Sequence, residues 1–134
     1  MTERSPAALN FTDRSAFQLL ESSVSDWGYR VSTTIETDGQ IGFAQMMIIK
    51  RMPGPEPDIF LDFYKLIVGR DIQDNRYGWV LAAEIQRASE IDTWYFVGRD
   101  VPTAFHRFTE AFTGSDMKYR LSTEAEIDTA LNAL

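Results

Sequence analysis

Hydrophobic and polar positions alternate most cleanly between Tyr29 and Arg51, YRVSTTIETDGQIGFAQMMIIKR. Tyr29, Val31, Thr33 and Ile35 fall on one side of an extended chain and Arg30, Ser32, Thr34 and Glu36 on the other, the period-two spacing of a half-buried strand. Asp38-Gly39 supplies a turn, so the stretch predicts a β-hairpin. Its register depends on loop length. A two-residue loop would oppose Ile35 to Gly42 and divide the apolar set between the two faces. A three-residue loop, Thr37-Asp38-Gly39 with Gly39 left-handed in a bulge, pairs Ile35 with Ile41 and Thr33 with Phe43. Tyr29, Val31, Ile35, Ile41, Phe43, Met47 and Ile49 then share a face, and this is the expected register. Met46-Met47-Ile48-Ile49 is apolar on both sides, which calls for cover on both, by helices or by a second subunit.

Ahead of the hairpin, residues 1–11 show no periodicity and read as a loose N-terminal arm. Thr12 or Asp13 then caps a helix with Phe17, Leu20, Val24 and Trp27 on one stripe, ended at Gly28. After the hairpin, Met52-Pro53-Gly54-Pro55-Glu56-Pro57 can only be a loop. The run 59–68, IFLDFYKLIV, fits a strand, although Asp58 could instead cap a short helix; the strand is preferred for its aromatic and β-branched content. GRDIQDNR (69–76) reads as a polar loop. Tyr77 to Arg87 resumes strand character with Trp79, Leu81, Ala83 and Ile85 on one side, and a turn near Ser89 to Asp92 leads into Thr93 to Val97. Asp100 and Pro102 open a helix carrying Phe105, Phe108 and Phe112, stopped by Gly114. Met117, Tyr119 and Leu121 alternate as one more short strand, and Thr123 with Glu126 makes a capping box for a last helix. The sum is a single α+β domain: an N-terminal helix, an antiparallel meander of about five to six strands, and two C-terminal helices.

Composition narrows the functional classes. The 134 residues suffice for one self-supporting core, and with no cysteine there is neither a disulfide framework nor a thiolate site for catalysis or metal. No apolar run approaches the roughly 18 residues of a membrane span, and MTERSPAALNF lacks the layout of a signal peptide, so a cytoplasmic, membrane-free location is expected. Twenty acidic against thirteen basic side chains give a net charge of −7. Such a domain gains nothing from phosphate contacts, so nucleic acid is a poor partner.

Candidate chemistry is sparse. His106 is the single histidine; it sits beside Arg107 and Glu110, off the phenylalanine stripe, and no G-x-S-x-G elbow accompanies it. No glycine-rich phosphate loop occurs, and Asp71 with Asp74 lacks the ligand pattern of a calcium loop. Pro57-Asp58 followed by Glu84-Ile85-Gln86 resembles in part the carboxylate spacing of PD-(D/E)xK metal nucleases. Gln86 stands where that pattern has lysine, and an acidic surface would repel the substrate. The plainer reading makes Glu84 and Gln86 the wet face of a strand.

No constellation marks an enzyme, cofactor or metal site. The expectation is therefore an acidic binding module that associates stoichiometrically with a protein carrying a basic surface, as an inhibitor, an immunity-type partner or a chaperone-like adaptor, with a homodimer as a further possibility. Expected contacts are Glu90 and Asp92 in the turn, Trp94 and Tyr95 as aromatic anchor, and Glu124 and Asp128 on the last helix. The alternative is a small-molecule-binding or catalytic domain with a pocket between a curved sheet and a helix. A concavity holding Glu84 or His106 among aromatic side chains would favour it.

Overall fold

The computed structural model describes residues 4–36, 39, 41–69 and 76–134. Helix α1 (Phe11–Ser25) precedes five strands, β1 (Tyr29–Ile35), β2 (Phe43–Lys50), β3 (Asp58–Ile67), β4 (Tyr77–Gln86) and β5 (Ile91–Gly98), and helices α2 (Val101–Gly114) and α3 (Glu124–Asn132) follow. The strands form one antiparallel sheet in the order β1-β2-β3-β4-β5, so the expected α+β meander is the architecture found. Residues 59–68 are strand through Ile67, not helix. The expected sixth strand reduces to a turn at Met117 to Arg120 and a single bridge between Leu121 and Tyr95. Residues 70–75, within the polar loop and including Asp71 and Asp74, lie outside the described residues, as do Thr37, Asp38 and Gln40.

Helix ends follow short-range chemistry. At α3, Thr123 Oγ1 accepts from the Glu126 amide and the Glu126 carboxylate accepts from the Thr123 amide, the reciprocal box expected from the sequence. Asp100 caps α2 by accepting from the Thr103 amide, while the left-handed residue at its end is Ser115 (φ 60°), one past Gly114. α1 begins earlier than expected: Asn10 is the cap and Asp13 its reciprocal partner three residues on.

The hairpin register differs from expectation. Ile35 pairs with Ala44, Thr33 with Met46 and Val31 with Ile48. Ala44, Met46 and Ile48 therefore join Val31 and Ile35 on the core face, whereas Phe43, Met47 and Ile49 point the other way and Ile41 is exposed. The cause is long-range. The Lys65 amide donates to the Gly42 carbonyl (2.7 Å), but at that level the chain ahead of α1 takes over the flank of β3: the Ala7 amide donates to Lys65 O (3.0 Å) and the Ile67 amide to Ser5 O (2.9 Å). β2 cannot extend back to pair Ile41. Gly42 has φ +68°, and a Cβ there would lie 2.5 Å from Ala7 O and 2.7 Å from Lys65 O. Glu36 closes the other side with φ 51°, its carboxylate accepting from the Leu9 amide and from Arg14 (2.8 Å each).

One face of the sheet carries the main core. Met46, Ile48, Ile59, Leu61, Phe63, Trp79, Leu81, Ile85 and Phe96 are all at most 1% exposed. α1 and α2 cover them through Phe17, whose ring meets Phe63 edge-on at 5.0 Å, and Phe108, which meets Phe96 at 6.0 Å. Among the described residues, the buried charged side chain on this side is Lys65, 3% exposed, which binds Asp13 of α1.

The opposite face is covered at one end. Ile127 and Leu131 of α3 pack on Leu66, Val80 and Val97 in a second, smaller core. Gly78 makes that approach possible, since a Cβ there would come within 3 Å of Leu131 and Leu134 side chains.

Candidate functional site

Strand parity and register place every side chain of the second face. Across the middle of the sheet, Thr34, Gln45, Asp62, Ala82 and Tyr95 stand in one row. The row on the side of the β4–β5 turn is Ser32, Met47, Phe60, Glu84 and Thr93, and beyond it Asp58, Gln86 and Ile91 align. α3 packs on the β4 and β5 end, so Phe43, Met47, Ile49 and Phe60 keep part of their surface in water and Tyr64 is 39% exposed.

Ala82 is the smallest side chain of its row and is surrounded by larger ones, which leaves a hollow of about 480 Å³ at the foot of α3. Asp62, Tyr64, Glu84, Thr93 and Tyr95 form its floor and sides, and Ser122, Thr123, Glu124 and Ile127 its helical wall. Asp62 Oδ1 accepts from Gln45 Nε2 (3.0 Å), and Glu84 Oε1 from Gln86 Nε2 (2.9 Å). Each glutamine fixes its carboxylate while leaving other lone pairs unused. Among the described residues neither carboxylate forms a salt bridge. Burial pushes the Tyr64 phenol above its usual range, and the negative charge of Asp62 and the neighbouring Tyr95 push it further. The hollow is thus aromatic on its flanks and negative in its field, and it places Glu84 among aromatic side chains between sheet and helix, the feature expected of the pocket-bearing alternative.

The six residues expected as contacts do not form one patch. Trp94 and Tyr95 are adjacent in a strand and so face opposite ways. Trp94 is 8% exposed in the main core, with the Arg120 guanidinium 5.3 Å from its ring. Tyr95 and Glu124 line the hollow. Glu90 and Asp92 are exposed at the β4–β5 turn, and Asp128 is turned to Arg4 (3.6 Å), which also donates to Asn132. Asp62, Tyr64 and Ala82 were not singled out by the sequence. The one hint there was a carboxylate inside an otherwise apolar strand, IFLDFYKLIV.

His106 stands on the outer surface of α2, 3.1 Å from Glu110, on the far side of the sheet from the hollow. Asp58, Glu84 and Gln86 share a face, yet Asp58 accepts from the Lys50 amide (3.2 Å) and Glu84 from Gln86. Among the described residues, no group of three or more His, Asp or Glu side chains is placed to hold a metal ion. Also among them, no helix is long and apolar enough to cross a membrane. Neither a family model, nor a curated protein, nor a solved structure matches this chain.

Proposed function

We propose that the chain is an acidic protein-binding module whose docking surface is the part of the second sheet face that α3 leaves open. The supporting observation is the juxtaposition there of part-exposed Met47, Ile49 and Phe60 with the carboxylates Asp62 and Glu84. Apolar side chains supply the area and the carboxylates select a basic partner and hasten its approach. A second copy is a poorer occupant, because it would bring another chain of net charge −7 onto an acidic surface. In this reading the module acts by occupancy, as an inhibitor or a chaperone-like adaptor does.

The test uses synthetic peptides in which leucine alternates with arginine or with glutamate, titrated calorimetrically into the intact chain at low and moderate salt. The basic peptide is expected to bind and to weaken with salt; Asp62→Lys or Glu84→Lys reduces binding at least tenfold, while Glu90→Lys or Asp92→Lys changes it little. Equal binding of the acidic peptide, or indifference to the first two reversals, overturns the proposal. A dimer buried on this face in solution does so as well.

A further inference from the structure

We propose that the hollow over Ala82 seats one arginine side chain of that basic partner, an inference that rests on the docking surface just described. Three features of the hollow converge on a guanidinium. First, Asp62 lies directly across from Ala82, and Glu84 is the next residue on the same face of β4. Cβ atoms in such a diagonal relation stand about 7 Å apart. Two carboxylates at that spacing suit a planar cation with five N–H donors better than a point-like ammonium.

Second, Gln45 and Gln86 already hold the two carboxylates in place, so little side-chain freedom is left to lose on binding. Third, Tyr64 and Tyr95 line the same hollow, and aromatic rings attract a guanidinium more readily than a neutral group. Partly buried carboxylates are ordinarily paired, and within the described residues these two have only amide donors. A cation supplied from outside completes the arrangement.

The experiment uses the intact chain and the leucine–arginine peptide with its central arginine changed to citrulline, which keeps shape and loses charge, or to lysine. N-acetyl-arginine methylamide serves as the free small-molecule probe. Two variants are compared: Ala82→Leu, which fills the hollow without touching charge, and the isosteric pair Asp62→Asn with Glu84→Gln, which keeps the proposal testable should the first variant fold poorly. Wild type is expected to bind the arginine peptide at least tenfold tighter than the citrulline peptide, with lysine between them. In both variants the arginine and citrulline peptides bind alike.

Citrulline binding as tight as arginine to wild type removes the seat and leaves the docking surface standing. A full arginine preference retained in either folded variant also removes it. Failure of every peptide to bind removes both. Should the free arginine derivative bind as tightly as the peptide, the hollow serves a small cationic ligand and not a partner's side chain.

Discussion

Lys65 Nζ lies 2.7 Å from Asp13 Oδ2, joining the middle of the sheet to the first turn of α1 where both side chains are largely shielded from water. The same ammonium donates to the Ala8 carbonyl (3.1 Å) and sits 4.6 Å from the Tyr77 ring centre, while Asp13 also accepts from the Asn10 amide. One pair therefore anchors the helix cap and the segment before it. Removing one member leaves the other charge buried alone, so Lys65→Met is expected to lower the unfolding free energy by about 3 kcal/mol. Urea denaturation followed by tryptophan fluorescence measures this. A loss below about 1 kcal/mol would mark the pair as an ordinary solvated contact.

Gly42 and Gly39 share a left-handed backbone but not their surroundings. Gly39→Ala meets no described atom within 4 Å and costs about 1 kcal/mol from conformation alone. Gly42→Ala must also push apart the Ala7 and Lys65 carbonyls, raising the total to about 3 kcal/mol. The second substitution is further expected to free the chain before α1, seen as faster proteolytic clipping ahead of Asn10. Equal effects at the two glycines would refute the crowding argument.

Phe60 and Phe63 belong to one strand and opposite faces. Phe63→Ala opens a hole beneath Phe17 and is expected to cost about 3–5 kcal/mol. Phe60 is only partly covered, so its truncation costs about 1 kcal/mol. Peptide binding should respond to the Phe60 change and not to the stability loss as such. Comparable destabilisation by both would mean that the second face is better covered than its exposure indicates.

Alkaline conditions provide another test. Burial pushes the Tyr29 phenol above its usual range, with the charges of Glu56 and Asp58 adding to the effect. Below the ordinary phenol value of about 10 the group is neutral in both folded and unfolded chains and contributes no slope. Above it the unfolded chain loses its proton first, so stability falls as pH rises toward the higher folded value. Tyr29→Phe is expected to flatten that decline, read as unfolding free energy between about pH 9 and about pH 11. An unchanged slope would assign the decline to other groups.

Much of the architecture was legible because it depends on neighbours in the chain. Alternation in Tyr77 to Gln86, the phenylalanine spacing of α2 and the Thr123–Glu126 box each need only a few consecutive residues. The hairpin register was not legible, since Ala7 and Lys65, far apart in sequence, decide where β2 begins. The hollow escaped for a related reason. It exists because two registers bring Asp62, Ala82 and Tyr95 into one row, and no single segment carries that information. Treating Trp94 and Tyr95 as one anchor overlooked that adjacent strand positions face apart. Their different burial follows from that parity.

β1 lies at the margin of the sheet and, among the described residues, pairs only with β2. Its outer amides and carbonyls form a template on which a like strand could add, the usual first step toward fibres. Arg30 and Ser32 alternate along its water-exposed side, and the Arg51 guanidinium occupies the carbonyl of Tyr29. Arg30 on that margin and the Arg51 guanidinium over one of its carbonyls oppose such growth on a strand otherwise rich in β-prone residues.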